Sequence, residues 1–166
     1  MDVPSTPFLL SWFESVRRRT RAVAVCIPAD AVERRVAPGR FSPGDLVRHI
    51  AATERWMWGE NVQGRPSRYP GHGRDLADGK DEVLAYLDAM HRDTVAILER
   101  LGPADLQARC TTVGGADITV WKWIRAMVEH EIHHRGQLYE ILGLMGVEVP
   151  PLYGLTEPQV REASIR

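Results

Sequence analysis

Apolar residues recur every three or four positions along four long stretches of the chain, the spacing of one face of an α-helix. These stretches cover residues 7–27, 42–62, 78–101 and 119–146, and segments rich in Pro, Gly and Asp separate them. Strand patterns are almost absent, and only residues 111–119 look extended, with a bend at Gly114-Gly115. The pattern therefore predicts an all-α protein.

Capping residues mark where these helices begin and end. Thr6 is the expected N-cap of the first helix, and Ser42 with Asp45 forms a capping box for the second. The third helix is expected to begin near Asp78 and to end before Gly102-Pro103, because proline disfavours helical backbone in the residue before it.

Long amphipathic helices without a sheet bury their apolar faces on one another, so the predicted fold is a four-helix bundle. The segment 64–79 between the second and third helices is rich in Pro and Gly and too long for a tight hairpin. It is predicted to be a crossover loop or a flap near a site. A short extended segment precedes the fourth helix, and the length suits one domain over residues 1–166.

Charge and composition narrow the possible partners. The chain has 21 Lys and Arg against 22 Asp and Glu, so no basic surplus favours nucleic acid. The longest apolar run, residues 22–27, is too short to cross a membrane. Cys26 and Cys110 fit a reducing compartment, so we expect a cytoplasmic protein. The basic residues 17–19 and Arg21 are expected on a solvated or dimer-facing surface.

Two histidines of the fourth helix carry the first sign of chemistry. His130 and His134 are four residues apart and share a helix face with Met127 and Leu138, within roughly 40° on the helical wheel. This face is expected to point into the core, whereas His133 falls about 100° away. Two imidazoles at this spacing can bind one transition metal, although hydrogen-bonded core histidines would give the same pattern.

A third ligand is available on the second helix. His49 shares its face with Leu46 and Trp56, while Glu54 and Arg55 are expected to point away. Three inward histidines on two helices would leave part of the coordination sphere open, as in catalytic zinc sites. The two remaining histidines, His72 and His91, are expected to be solvated.

Three segments resemble one known family over nearly the whole chain. They are 46–56 (LVRHIAATERW), 130–137 (HEIHHRGQ) and 150–154 (PPLYG), and they resemble the DinB/YfiT-type superfamily of four-helix bundles. The resemblance implies that His49, His130 and His134 bind one divalent transition metal, zinc or nickel. It also implies a homodimer and a metal-dependent enzyme for a small-molecule substrate, acting by thiol transfer with a low-molecular-weight thiol or by hydrolysis. It assigns no catalytic or cofactor-binding residue.

Two alternatives stay open at the level of sequence. His130-Glu131 with His134 also forms the HExxH pattern of zinc proteases, in which Glu131 would be the general base, although no histidine follows His134. A bundle that a metal only stabilises is the other alternative. A cavity lined by Trp56 and Met127 at the metal would favour catalysis. Glu131 is expected either to assist the metal site or to lie on the surface.

Overall fold

The chain folds into a bundle of four long helices in the computed structural model, which describes residues 4–164. The helices are α1 (Thr6–Ala24), α2 (Pro43–Thr53), α3 (Gly59–Asn61), α4 (Lys80–Leu98), α5 (Pro103–Gln107), α6 (Val120–Leu144) and α7 (Glu157–Ser164). A π-helical segment, Glu54–Trp58, joins α2 to α3 without a break, and a 3-10 turn covers Ala29–Ala31. The predicted four-helix bundle is confirmed.

The extended segment before the last long helix is a small antiparallel hairpin. Its strands are β1 (Arg109–Thr111) and β2 (Asp117–Thr119), with Cys110 opposite Ile118. Gly115 lies in the turn with a φ of 81°, a backbone conformation that glycine adopts without strain. The hairpin leads directly into α6 and fixes where that helix starts.

The packing of the long helices places α2 beside α6. α1 packs on α6 and α4, while α2 packs on α4 and α6. Two apolar clusters form the core. One contains Phe13, Trp58, Trp121, Ile124 and Met127, and the other contains Val23, Leu46, Ile50, Leu87, Leu138 and Leu142. The crossover loop runs between α3 and α4, as the sequence predicts.

The observed helix ends differ in detail from the expected ones. The N-cap of α1 is Ser5 rather than Thr6, because the Ser5 hydroxyl accepts from the Phe8 N–H while the Thr6 hydroxyl donates to the Leu101 carbonyl. The capping box of Ser42 and Asp45 is present as predicted. Capping side chains therefore stabilise the N-terminal ends of α1 and α2.

The third long helix is shorter than expected at both ends. α4 begins after Gly79, whose φ of 80° suits only glycine, so Asp78 lies outside the helix. It ends at Leu98, and Gly102-Pro103 begins a further helix, α5, which the sequence reasoning missed. Proline at the first position of a helix costs nothing, so the same dipeptide both follows one helix and starts the next.

α2 is enclosed on almost every side. Residues 42–48 and 50–54 are all buried, so the expectation that Glu54 points away from the core is wrong. A helix that touches neighbours all round has no solvent face, and the one-sided pattern assumed from the sequence does not apply to it. None of the helices in residues 4–164 is long and apolar enough to cross a membrane.

Candidate metal centre

Three histidines converge where α2 faces α6. One ring nitrogen from each of His49, His130 and His134 lies within 4.8 Å of the other two. The Nε2 atoms of His49 and His130 are 3.2 Å apart, and the ring centroids of His130 and His134 are 4.3 Å apart. The three residues selected from the sequence therefore form one cluster.

The histidines of α6 lie at the edge of its buried face, not in the middle as expected. The buried face runs through Ile124, Val128, Glu131, Arg135, Leu138 and Leu142. Its centre is roughly 80° around the helix from His134. The rings of the three histidines are consequently only partly buried. The cluster lies between the core and the surface, where a ligand from solvent can reach it.

The crossover loop supplies a hydrogen-bond partner to one histidine. The hydroxyl of Tyr69 is 2.8 Å from Nδ1 of His49 and 3.2 Å from Nδ1 of His72. Arg48 holds the loop there by donating to the carbonyls of His72 and Ala77, at 2.8 and 3.0 Å. These contacts place the crossover loop beside the histidine cluster. The role of Tyr69 was missed, because a loop contact leaves no periodic signal in the sequence.

Gln137 is a hydrogen-bond partner of a second histidine. Its side-chain oxygen is 2.7 Å from Nδ1 of His134, and its nitrogen is 3.1 Å from Nε2 of His133. With Nδ1–H donating to this oxygen, Nε2 of His134 is the nitrogen free to bind a metal. His133 is exposed and lies outside the cluster, as predicted.

Aromatic rings form the walls of the cluster. Trp58 lies 4.8 Å from the ring of His130 and 5.0 Å from that of Trp123, and Phe41 stacks 5.7 Å from His49. Trp56, expected at the site, instead lies under the guanidinium of Arg55. The π-helical segment explains the exchange, because one extra residue in a turn changes which of the following side chains face α6.

Burial keeps the histidines neutral. Loss of hydration lowers the pKa of His49 to about 4 and that of His130 to about 3, with a further contribution from the neighbouring imidazoles. Burial also lowers the pKa of His134. Neutral imidazole is the form that binds a metal, so the three rings present lone pairs at neutral pH.

The geometry fits a divalent transition metal. Two nitrogens bound to one tetrahedral zinc are about 3.3 Å apart, since each Zn–N bond is about 2.0–2.1 Å. The 3.2 Å between Nε2 of His49 and Nε2 of His130 is close to that separation. Imidazole donors also suit nickel, and three protein ligands leave part of the coordination sphere open.

Comparisons with known proteins identify the family. The family model of the DinB superfamily matches residues 13–138. The chain belongs to the DinB superfamily. The uncharacterized protein YjoA of Bacillus subtilis is a DinB-like relative, 26% identical over 147 residues that cover 87% of this chain and 94% of YjoA. The crystal structure of YjoA matches this fold with a TM-score of 0.70 over 87% of this chain and 96% of that one.

Two more distant structures share the DinB fold. YfiT from Bacillus subtilis, described as a probable metal-dependent hydrolase with an unusual four-helix bundle topology, is 15% identical with a TM-score of 0.69. The match covers 86% of this chain and 89% of YfiT. A mutant of a mycothiol-dependent maleylpyruvate isomerase is 8% identical with a TM-score of 0.67, over 89% of this chain and 63% of that one.

A second polar cluster of this DinB chain lies inside the bundle, on α1, α4, α6 and the π-helical segment. Arg17 donates through Nη2 to Glu54 and, at 2.9 Å, to Glu131. Nδ1 of His91 lies 3.3 Å from the other oxygen of Glu54. All four residues are buried, so three expectations are wrong: solvated His91, outward Glu54 and surface Arg17. We call Arg17, Glu54, His91 and Glu131 the buried charge network.

The network also decides the role of Glu131. Its carboxylate accepts from Arg17 on α1 and is 3% exposed, and burial raises its pKa against the opposing charge of Arg17. A general base must lie within hydrogen-bonding reach of the reacting group. Glu131 is held by Arg17 instead, which disfavours the HExxH protease. It is not a surface carboxylate either.

Proposed function

We propose that this chain is a divalent-metal protein of the DinB superfamily and a metal-dependent enzyme for a small-molecule substrate. His49, His130 and His134 are the ligands. The observation that carries the proposal is the approach of three neutral ring nitrogens within 4.8 Å in a partly exposed setting. Packing alone does not require three polar rings to turn one nitrogen each towards a common point.

The residues around the histidines have complementary tasks. Tyr69 and Gln137 each contact one Nδ1 and orient the rings of His49 and His134, and the Gln137 oxygen also favours the Nδ1–H tautomer of His134. Trp58 and Phe41 cover the sides of the rings and limit the entry of water. A bound zinc or nickel would supply Lewis acidity there, which activates either a thiol or a water. No side chain is assigned as a general acid or base.

Two structural neighbours support the two candidate reactions. YfiT is described as a probable metal-dependent hydrolase, and the isomerase is described as mycothiol-dependent. We therefore propose hydrolysis or transfer of a low-molecular-weight thiol. The partial exposure of the histidines favours catalysis over a metal that only stabilises the bundle, because a purely structural site is usually closed by four protein ligands.

The assembly and location stay predictions. We propose a single domain over residues 1–166, a homodimer and a cytoplasmic location, without nucleic-acid or membrane partners. Large apolar side chains that are exposed on one copy, such as Phe8 at 61% and Tyr153 at 77%, are available to an interface. Light scattering tests the dimer, and a mass of one chain at micromolar concentration would contradict it.

Metal analysis and a reaction screen test the proposal together. Chelated protein is reloaded with cobalt, zinc or nickel and screened with thiols and electrophilic acceptors, and separately with hydrolysable esters and amides. We expect up to one metal per chain and metal-dependent turnover, both lost in His49→Ala and kept in His133→Ala. Turnover that needs a thiol identifies the transferase. Metal binding without any turnover, and without a change of cobalt absorbance on adding a thiol, would leave only the metal-binding part.

A further inference from the structure

A groove of about 590 Å³ lies beside the histidine cluster, between residues 36–41 and the outer face of α6. This volume is in the range that holds a small molecule. The apolar part of its lining consists of Val36, Phe41, Leu46, Ile141 and Leu144. A monomer with this surface exposes a continuous apolar patch next to its candidate metal centre.

The groove and the centre share walls. Phe41 lines the groove and stacks on His49, with ring centroids 5.7 Å apart. Gln137 lines the groove and contacts Nδ1 of His134 at 2.7 Å. A molecule lying in the groove therefore touches the side chains that orient two of the three proposed ligands.

The charges at the groove favour an anion. Arg40 lines the groove, and Arg34 lines an adjoining hollow of about 450 Å³ that shares Val36 and Leu144 with it. Both arginines are exposed and have no ion-pair partner within residues 4–164, whereas Arg35 between them is paired with Asp45 at 2.7 Å. Glu140 on the α6 wall is the opposing charge.

We propose that this groove is the substrate site and that it takes an anionic amphiphile, a small molecule with an apolar body and a carboxylate or phosphate group. The apolar body lies along Val36, Ile141 and Leu144, and the anionic group pairs with Arg34 and Arg40. The assignment of this molecule as substrate rests on the proposed function. Binding in the groove does not, because none of its lining residues is a proposed metal ligand.

The experiment is a binding titration with four probes of equal chain length. Octanoate, octyl phosphate, octanol and octylamine are titrated into metal-free and cobalt-loaded protein, below their critical micelle concentrations, and amide chemical shifts are followed by NMR. We expect the two anions to bind tightest and to shift the amides of residues 36–41 and of α6. The relative affinities of octanoate and octyl phosphate show whether the anionic group is a carboxylate or a phosphate.

Variants of exposed residues test the contacts without endangering the fold. The double variant Arg34→Gln/Arg40→Gln should weaken octanoate binding about fivefold, as expected for exposed charge pairs. Glu140→Gln should strengthen it by up to about twofold, because a like charge is removed. Leu144→Ser should weaken all four probes. Arg109→Gln, an exposed arginine at the hairpin, is the matched control and should change nothing.

Three outcomes overturn the proposal. Octanol that binds as tightly as octanoate removes the anionic recognition, and octylamine that binds tightest reverses it. A dimer in light scattering that Leu144→Ser dissociates makes the groove an interface between two copies. The triple variant of His49, His130 and His134 to Ala should lose the metal and still bind octanoate. It therefore distinguishes loss of metal binding from loss of groove binding.

Discussion

The histidine cluster on α2 and α6 and the buried charge network, which also includes residues of α1 and α4, place polar side chains under opposite conditions. The histidines are partly exposed and neutral, and no carboxylate is among the groups that shift their pKa. Arg17, Glu54 and Glu131 are almost fully buried, and the one guanidinium pairs with both carboxylates. The first arrangement keeps lone pairs available, while the second uses its polar atoms to hold helices together.

The difference shows what each region contributes. Removing Arg17 alone from the charge network would leave its two carboxylates uncompensated inside the bundle, so the network acts on folding. Removing the histidines would leave small cavities near the surface and would remove three poorly hydrated polar rings. The histidines therefore contribute to ligand binding rather than to folding. The network connects α1 to the segments that carry the proposed ligands, because Glu54 follows α2 and Glu131 is next to His130.

The largest effect is expected from the triple variant H49A/H130A/H134A. It should bind no metal, whereas the wild type binds up to one per chain, because no other described group of three donors comes as close together. Metal analysis after chelation and reloading measures this. The metal-free triple variant should unfold at a denaturant concentration no lower than the metal-free wild type. Retained metal in the triple variant would end the assignment, and H133A is the control that should keep it.

Arg17→Ala is the strongest test of the other region. It removes the guanidinium that pairs with both Glu54 and Glu131 and should cost about 3–5 kcal/mol of the free energy of unfolding. Denaturant unfolding of the metal-free protein measures it. Arg18→Ala removes a neighbouring exposed arginine and should change stability by less than about 0.5 kcal/mol. Equal unfolding midpoints for the two variants would mean that the network does not stabilise the fold.

The apolar triple variant R17M/E54L/E131L sharpens this test. Well-packed apolar side chains often replace a buried ion group without loss of stability. We therefore expect it to recover most of the stability that Arg17→Ala loses. Recovery identifies unpaired charge, rather than lost packing, as the cause of the Arg17→Ala effect.

Tyr69→Phe should weaken metal binding about tenfold or more and leave stability nearly unchanged, because the hydroxyl only orients His49. Competition with a coloured chelator gives the affinity. Tyr139→Phe removes a hydroxyl that donates over 3.4 Å to the Val149 carbonyl, away from the centre, and serves as the control. Wild-type metal affinity in Tyr69→Phe would show that the hydroxyl does not orient His49 and that the loop only covers the site.

The last prediction concerns the pH dependence of the metal-free protein. The folded pKa of His49 and His130, about 4 and about 3, lies below the unfolded value. The unfolded chain therefore takes up protons first, and stability should fall as the pH drops from about 6.5 towards 4. Urea midpoints at pH 7, 6 and 5 measure it. The decline should be shallower in H49A/H130A, and an unchanged slope would contradict the lowered pKa values.

The sequence predicted the bundle and the three histidines because both rest on helical periodicity. His130 and His134 are one turn apart, and any helix that carries them brings their rings together. His49 could be found because it shares its helix face with core residues, although α2 proved to be enclosed on all sides. The contacts of Tyr69 and His72 could not be found in this way, because the path of a loop is set by tertiary contacts such as those of Arg48.

The buried charge network was missed although one signal for it was present. Phe13, Arg17 and Thr20 follow the same helical spacing, so Arg17 lies on the apolar face of α1. A charge run at 17–19 suggested a surface and hid this position. A buried arginine needs buried carboxylates as partners. Glu54 and Glu131 were not recognised as these partners, because the helical-wheel analysis assumed only one buried side for each helix.

The π-helical segment Glu54–Trp58 also constrains how this chain can change in length. The Gly59 N–H donates to the Glu54 carbonyl five residues back, so this turn holds one residue more than an α-helical turn. Deleting one residue here would let the helix close into regular α-helix, but it would rotate the following side chains by about 100° relative to α2. Trp58 would then leave His130, and Glu60 would leave Arg55. This short stretch of helix must therefore keep its residue count.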